Sequence, residues 1–173
     1  MLTSNFSAWI AANLWNKTAS GVNVVGTTAP ITVGMLGSAY YGIKKSMTVI
    51  TVGGSTSNRN YGVLFGAGTT PPTNGDHKLE STITSGLTAS APSEALTTET
   101  DDYYEITATY GVYATTETTI SEIGIFCNTS TTASTNSNGG MFLIDRTVLE
   151  TPIIIPAGQS KQVTYTIRLN KPK

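Results

Sequence analysis

The side chains that most often carry out enzymatic chemistry are few in this sequence. Nucleophilic catalysis by serine or cysteine needs a neighbouring base, usually histidine, and the chain has one histidine, His77, and one cysteine, Cys127. His77 lies in a turn-forming Asn-Gly-Asp-His-Lys run, where we expect a solvated loop residue. Cys127 lies on an apolar strand face, where a thiol packs without reacting. A lone cysteine also excludes an intramolecular disulfide and a cysteine-based zinc site.

Acidic residues are the other candidates for chemistry. Four of them are close together in the sequence: Glu99, Asp101, Asp102 and Glu105. A pair of carboxylates can hydrolyse a glycosidic bond, but we expect these four to be solvated at the entrance of a strand. They also lack the spacing of a calcium-binding loop. The glycine-rich run 62–70 lacks the Gly-Lys-Thr ending of a phosphate-binding loop. The sequence therefore predicts no catalytic, cofactor-binding or metal-ligating residue, no cofactor and no enzymatic activity.

Composition sets the broad class. The chain has 173 residues, of which 39% are hydrophobic and 12% charged, and a formal net charge of -1. Threonine and serine dominate its polar residues and favour strands over helices. Because binding to phosphates needs a basic excess, we expect no nucleic-acid partner. No apolar stretch is long enough to span a bilayer and no signal peptide is evident, so we expect no membrane partner and synthesis in the cytoplasm.

Charge is unevenly distributed along the chain. All Lys and Arg residues lie within 1–78 and 146–173, whereas every charged residue of 79–145 is acidic. One interpretation is that strands from the middle meet strands from the ends within one sheet, where exposed ion pairs contribute little. The other is that an acidic face of one copy meets a basic face of another and assists ordered assembly.

A helix is predicted only near the start, over residues 4–17, with Ser4 or Asn5 as its cap. An apolar stripe at helical spacing makes five residues candidate assembly contacts: Phe6, Trp9, Ile10, Leu14 and Trp15. The helix either covers an open end of the β core or anchors the chain to a neighbour, since tryptophan is enriched in buried contacts between chains.

Short β-prone runs separated by turns occupy the rest of the chain. Early candidates are 21–26, 31–36, 47–52 and 60–66, and later ones are 102–114, 118–128, 141–149 and 161–169. Pro156, Ala157 and Gly158 are expected to turn the chain before the last strand. The polar runs 53–60, 86–100 and 128–140 are predicted loops.

Alternation within these runs indicates which face is buried. It places Tyr104, Ile106, Ala108, Tyr110 and Val112 on one face. In 118–128, Ile123 and Ile125 share a face with Cys127, and Ile120 and Phe126 lie opposite. In 161–169, Val163, Tyr165, Ile167 and Leu169 alternate with polar residues.

The pattern predicts an all-β fold, a β-sandwich or jelly-roll-like arrangement of about nine antiparallel strands with one short N-terminal helix. We expect residues 1–20 to form a helical segment that could dock elsewhere, residues 21–170 to form the sandwich, and residues 171–173 to be a frayed tail.

The segment 63–83, VLFGAGTTPPTNGDHKLESTI, resembles a motif of small virion proteins of tailed bacteriophages: a strand, Gly-x-Gly-Thr-Thr, a Pro-Thr turn with an acidic residue, then Lys-Leu-Glu. The resemblance continues in order through 104–112, 118–126 and 142–167. It implies a β-rich virion subunit without catalytic residues.

The resemblance leads us to expect a capsid auxiliary or decoration protein, or a subunit associated with head fibres. It would be made in the bacterial host, located in the virion, homo-oligomeric, and bound to the major capsid protein or neighbouring structural subunits. Alternatives are a tail, collar or tail-fibre component, or a receptor- or glycan-binding module that uses the predicted loops. Those loops contain almost no aromatic residues to stack on sugars.

Overall fold

The computed structural model describes residues 1–8, 19–23, 25–31, 62–90, 96–128 and 141–171. A short helix, α1, begins at residue 4 and is described to residue 8. The strands are β1 (Ala19–Val22), β2 (Thr28–Ile31), β3 (Gly62–Gly66), β4 (Leu87–Ser90), β5 (Leu96–Glu99), β6 (Tyr103–Ala114), β7 (Thr118–Asn128), β8 (Met141–Ile155) and β9 (Ser160–Asn170).

Two antiparallel sheets form the body of the protein. In the first sheet, β7 lies between β3 and β8. In the second, β6 pairs along its whole length with β9, and its other edge pairs with β4 and then β5. Strands β1 and β2 form a separate hairpin that pairs with neither sheet. This arrangement confirms the predicted all-β sandwich with a short N-terminal helix.

Apolar side chains of the two sheets meet in one core. From the first sheet it contains Val63, Phe65, Ile123, Ile125, Phe142 and Ile144, and from the second Ala108, Tyr110, Val112, Val163, Tyr165 and Ile167. Burial of each large side chain contributes about 1.5–3 kcal/mol. Because residues on a strand alternate, Thr107 and Thr109 point outward, where they pair with Thr166 and Thr164 at oxygen–oxygen distances of 3.0 and 2.9 Å.

A polar contact crosses this core between the sheets. The hydroxyl of Tyr165 donates to a carboxylate oxygen of Asp145, which is 6% exposed, and lies 3.2 Å from Oγ1 of Thr147. Burial and the negative charge of Asp145 together raise the pKa of Tyr165 far above its ordinary value. A neutral phenol therefore satisfies a buried carboxylate.

Two sequence predictions of local structure are wrong. Residues 86–100 are not all loop, because β4 and β5 lie there and pair with the edge of β6 through backbone bonds that do not need apolar side chains. Residues 21–26 are not one strand. Asn23 accepts hydrogen bonds from the N–H groups of Val25 and Thr27 and turns the chain, and Gly26 follows with a φ of 82°.

Register irregularities explain two further differences. Ile120 was expected opposite Ile123 and Ile125, but it lies in the same core, because the β7–β8 pairing is irregular between residues 120 and 122. The strand predicted for 141–149 continues to Ile155 across Pro152, at the same irregularity. The turn before β9 is as predicted, and Gly158 has a φ of 75°.

The first eight residues pack on their own sandwich. Thr3 donates through its N–H to the Ile144 carbonyl (3.0 Å) and through Oγ1 to the Leu143 carbonyl (2.6 Å). Neither Ser4 nor Asn5 precedes α1 as its cap. The buried amide of Asn5 instead bonds both backbone groups of Val22, at 2.7 and 2.8 Å, and so joins α1 to β1.

Candidate functional site

The most distinctive local feature is a loop that leaves β3 and returns to it. We call residues 67–81 the strap. Its ends are joined by a bond from the Ala67 N–H to the Ser81 carbonyl (2.8 Å), and the next bond runs from the Ile83 N–H to the Phe65 carbonyl (2.9 Å). The strap is therefore an Ω-loop, a compact surface loop with its ends close together, and such loops often carry function.

Hydrogen bonds within the strap fix its shape. Asp76 accepts from the N–H and hydroxyl of Thr73, at 3.0 and 2.8 Å, which closes a tight turn at the tip. Glu80 accepts from the N–H and hydroxyl of Thr70, both at 2.8 Å, and ties the outgoing half to the returning half. Threonine is suited to this role because its short hydroxyl reaches nearby acceptors in turns.

Glu122, on β7, lies beneath the strap and is completely buried. Oε1 of its carboxylate accepts the N–H groups of Gly68 (3.1 Å) and Ser81 (2.7 Å), and Oε2 accepts the N–H of Glu80 (3.1 Å). Three strap amides thus share one carboxylate as their acceptor. A buried charge with this many donors is well satisfied.

Glycine provides the space for this approach. A Cβ on Gly66 would lie 2.6 Å from Cγ of Glu122 and 2.7 Å from the backbone oxygen of Ser81, and a Cβ on Gly68 would lie 2.7 Å from Oε1 of Glu122. These distances are far below normal contact, so any side chain would push the strap off the carboxylate. The Gly-x-Gly spacing is therefore required by the packing.

Arg146, on β8, connects Glu122 to the two strap carboxylates. Its side chain is 4% exposed. Nε donates to Glu122 Oε2 (2.8 Å), Nη1 to Asp76 Oδ2 (2.8 Å) and Nη2 to Glu80 Oε2 (3.4 Å). We call Asp76, Glu80, Glu122 and Arg146 the clamp. It links the sheet to both halves of the strap.

Three residues of the clamp, Asp76, Glu80 and Arg146, have pKa values shifted in the direction that favours the charged form. Burial alone would raise the pKa of Asp76, but hydrogen bonds from Thr73 and Arg146 outweigh it and lower that pKa. Hydrogen bonds from Thr70 lower the pKa of Glu80. Burial acts against the charge of Arg146, yet its bonds to Asp76 and Glu122 raise its pKa. Each of these three groups is therefore held in its charged form.

A small apolar contact accompanies the clamp. Leu79 of the strap is buried against Phe126 and Leu143 on the outer face of the first sheet, with Leu64 beside them. Gly124 leaves the room for it, since a Cβ there would lie 2.7 Å from Cδ2 of Leu79. The first sheet is thus covered on both faces, by the second sheet and by the strap.

A cavity of about 370 Å³ lies between the strap and the side chain of Arg146. Its wall is formed by residues 70–71, 73, 75–80 and 146. The size is at the lower end for small-molecule pockets. Within it, Arg146 already donates to both Asp76 and Glu80. Among the residues that the structure describes, no group of three histidine, cysteine or acidic side chains could hold a metal ion.

The candidates for chemistry do not converge on a site in the described chain. His77 lies in the wall of this cavity. Cys127 lies in β7 opposite Phe142 in the strand register. In the acidic group, Glu99 pairs with Lys171 at 2.9 Å and Glu105 with Arg168 at 2.7 Å. These two ion pairs agree with the first interpretation of the uneven charge, in which acidic residues from the middle of the chain meet basic residues from its ends.

The predicted assembly contacts are only partly described. Phe6 is half-buried and packs against the core between the two sheets, so it contacts its own domain. The other four candidates, Trp9, Ile10, Leu14 and Trp15, lie outside the described residues.

Sequence reasoning did not single out the two central clamp residues. Glu122 and Arg146 each carry a charge between apolar residues of a strand, in the runs Ile-Ser-Glu-Ile-Gly-Ile and Leu-Ile-Asp-Arg-Thr-Val. A charge at such a position must be paired if it is buried. Opposite charges in neighbouring apolar strands were the available signal.

No family model, curated protein or solved structure matches this chain. Within the described ranges, no helix has the length and apolar character needed to cross a membrane.

Proposed function

We propose that the chain is a structural subunit of a tailed-bacteriophage virion, acting by protein–protein assembly as a capsid auxiliary or decoration subunit or in association with head fibres. Its partners in this proposal are the major capsid protein or neighbouring structural subunits, together with further copies of itself.

The observation that carries this proposal is the clamp. Two of its members, Asp76 and Glu80, and both glycines that admit Glu122 belong to the segment 63–83 that resembles the phage motif. The motif residues thus share one mechanical task, which is to hold an exposed loop in a fixed shape. A preorganised surface loses little conformational entropy when it binds a partner.

The second sheet supports the same interpretation. Its outward face carries the paired threonines of β6 and β9 and the exposed ion pair of Glu105 with Arg168. No other described element covers this face. Such a face suits polar, hydrated contacts between subunits. The alternative of a glycan-binding module has less support, since β4 and β5 occupy one of its three predicted loops. Residues 53–60 and 129–140 of the other two loops lie outside the described residues.

Rebinding to particles tests the proposal. Particles made by a phage genome from which this gene is deleted are mixed with the purified chain carrying a fluorescent label, and heads and tails are separated on a density gradient. The proposal expects saturable binding to heads, and competition by unlabelled chain checks that the binding is specific. Binding to tails alone would move the subunit to the tail, and binding to neither, with no copies in wild-type particles, would refute the proposal.

A further inference from the structure

The strap and the sandwich are held by different forces. The sandwich core consists of apolar side chains from two sheets, whereas the strap has one fully buried apolar anchor, Leu79. The rest of its attachment is ionic or hydrogen-bonded, through Glu122 and Arg146 on the sheet. Hydrophobic burial does not depend on protonation, but ion pairs do. The two parts should therefore respond differently to acid.

The charges that face the strap come from three elements. The strap itself carries Asp76, His77, Lys78 and Glu80, β7 contributes Glu122 and β8 contributes Arg146. Two further elements also touch it. The Ser4 N–H donates to the Asn74 carbonyl at 2.9 Å, and the β1–β2 turn approaches His77 at Gly26. Residues 1–8 and 19–31 contain no charged side chain, and the terminal ammonium of Met1 forms an ion pair with Asp145 of β8 at 3.1 Å.

We propose that the strap is an acid-released cover: protonation of Asp76 and Glu80 frees it from Arg146, and it leaves the first sheet as a unit while the sandwich stays folded. Opening uncovers the apolar patch formed by Leu64, Phe126 and Leu143. This inference concerns the fold and does not depend on the placement of the chain in a virion.

The sign of the pH dependence follows from the closed structure. The pKa values of Asp76 and Glu80 are lowered when the strap is closed. Their contribution is present above the ordinary carboxyl pKa of about 4 and is lost as pH falls through the lowered values. The strap is therefore locked at neutral pH and released only in acid. Opening also exposes Glu122 and Arg146 to water. Their hydration offsets part of the cost of separating these two side chains from the strap.

Amide hydrogen exchange measures the opening directly. Gly68 and Ser81 report the strap, because their N–H groups bond to Glu122, and Val112 and Ile125 report the core. Between about pH 6 and about pH 3 we expect the protection factors of the strap amides to fall by about tenfold or more, while those of the core amides change much less. Equal loss in both sets, or protection of the strap throughout, would overturn the proposal.

A double substitution separates strap opening from acid unfolding. Asp76→Asn with Glu80→Gln mimics the protonated state at neutral pH, so the strap amides should lose protection there, a hydrophobic dye should bind, and the far-ultraviolet circular dichroism should stay β-like. The control Glu117→Gln changes an exposed acid in the β6–β7 turn and should alter none of these. A double variant that keeps its strap protection contradicts the proposal.

His77 is another acid-base side chain that lies in the strap beside Asp76 and Glu80. The variant His77→Asn should open over the same pH range as the wild type, because the release is assigned to the two carboxylates. An acid response that disappears in this variant would transfer the switch to His77 and overturn the assignment.

Discussion

Replacement of Glu122 by glutamine isolates the charge at the centre of the clamp. The change is nearly isosteric, but the amide keeps only one acceptor oxygen, and its nitrogen must face two donors in either orientation. With the oxygen toward Gly68 and Ser81, the new amide faces the Glu80 N–H and Nε of Arg146, and the flipped orientation reverses the conflict. Two donors are therefore always left without an acceptor.

The expected cost follows from these contacts. Each unsatisfied buried donor costs about 1–3 kcal/mol, and removal of one partner of a buried ion pair costs about 3–5 kcal/mol. Since Arg146 keeps Asp76 and Glu80, only part of the ion-pair cost applies, and we expect the free energy of unfolding to fall by about 2–4 kcal/mol. Urea denaturation followed by circular dichroism measures this difference.

Two further variants make the result decisive. Glu150→Gln changes an exposed glutamate on β8 and should stay within about 0.5 kcal/mol of the wild type. The double variant Glu122→Met with Arg146→Met removes both charges, yet it should remain destabilised, because the three strap amides still lose their acceptor. A loss below about 1 kcal/mol for Glu122→Gln would refute the reasoning, and a fully stable double variant would show that the amide contacts contribute little.

Other changes test other parts of the structure. Gly66→Ala places a Cβ against a strap backbone carbonyl and should cost about 1–3 kcal/mol in the same urea assay, whereas Gly75→Ala, whose Cβ meets only an ordinary contact, should stay within about 0.5 kcal/mol. Tyr165→Phe removes a donor from buried Asp145, and we expect a loss of about 1.5–3 kcal/mol by thermal or urea unfolding; an unchanged midpoint would mean that water replaces the hydroxyl. Arg168→Gln breaks an exposed ion pair, and we expect its unfolding midpoint to equal that of the wild type at every salt concentration.

The sequence predicted the strands that have clear alternation and missed those that do not. In β6 and β9 the apolar residues recur at every second position, and Tyr110, Val112, Val163 and Ile167 are buried as expected. β4 does alternate, with Leu87 buried in the core and Ala89 packed against it, but β4 and β5 are four residues each and are rich in threonine and serine. Alternation over so few residues does not distinguish a strand from a polar loop.

The candidate site was predicted only in part, for a different reason. The strap segment was recognised as a motif and as a turn-rich run, but its function in the fold depends on Glu122 and Arg146, which lie about 40 and 65 residues further along the chain than Glu80. Such contacts depend on the pairing of β7 with β8, and the register irregularity that moved Ile120 into the core could not be read from alternation. The local sequence pattern predicts neither the pairing of β7 with β8 nor its irregularity in register.

A reconstruction of the intact particle by electron cryomicroscopy tests the virion proposal most directly. The account predicts a two-sheet density of this size, repeated by the symmetry of the capsid, with the strap closed on the first sheet. Particles in which every density is explained by other chains, from a phage that expresses this one, would contradict it.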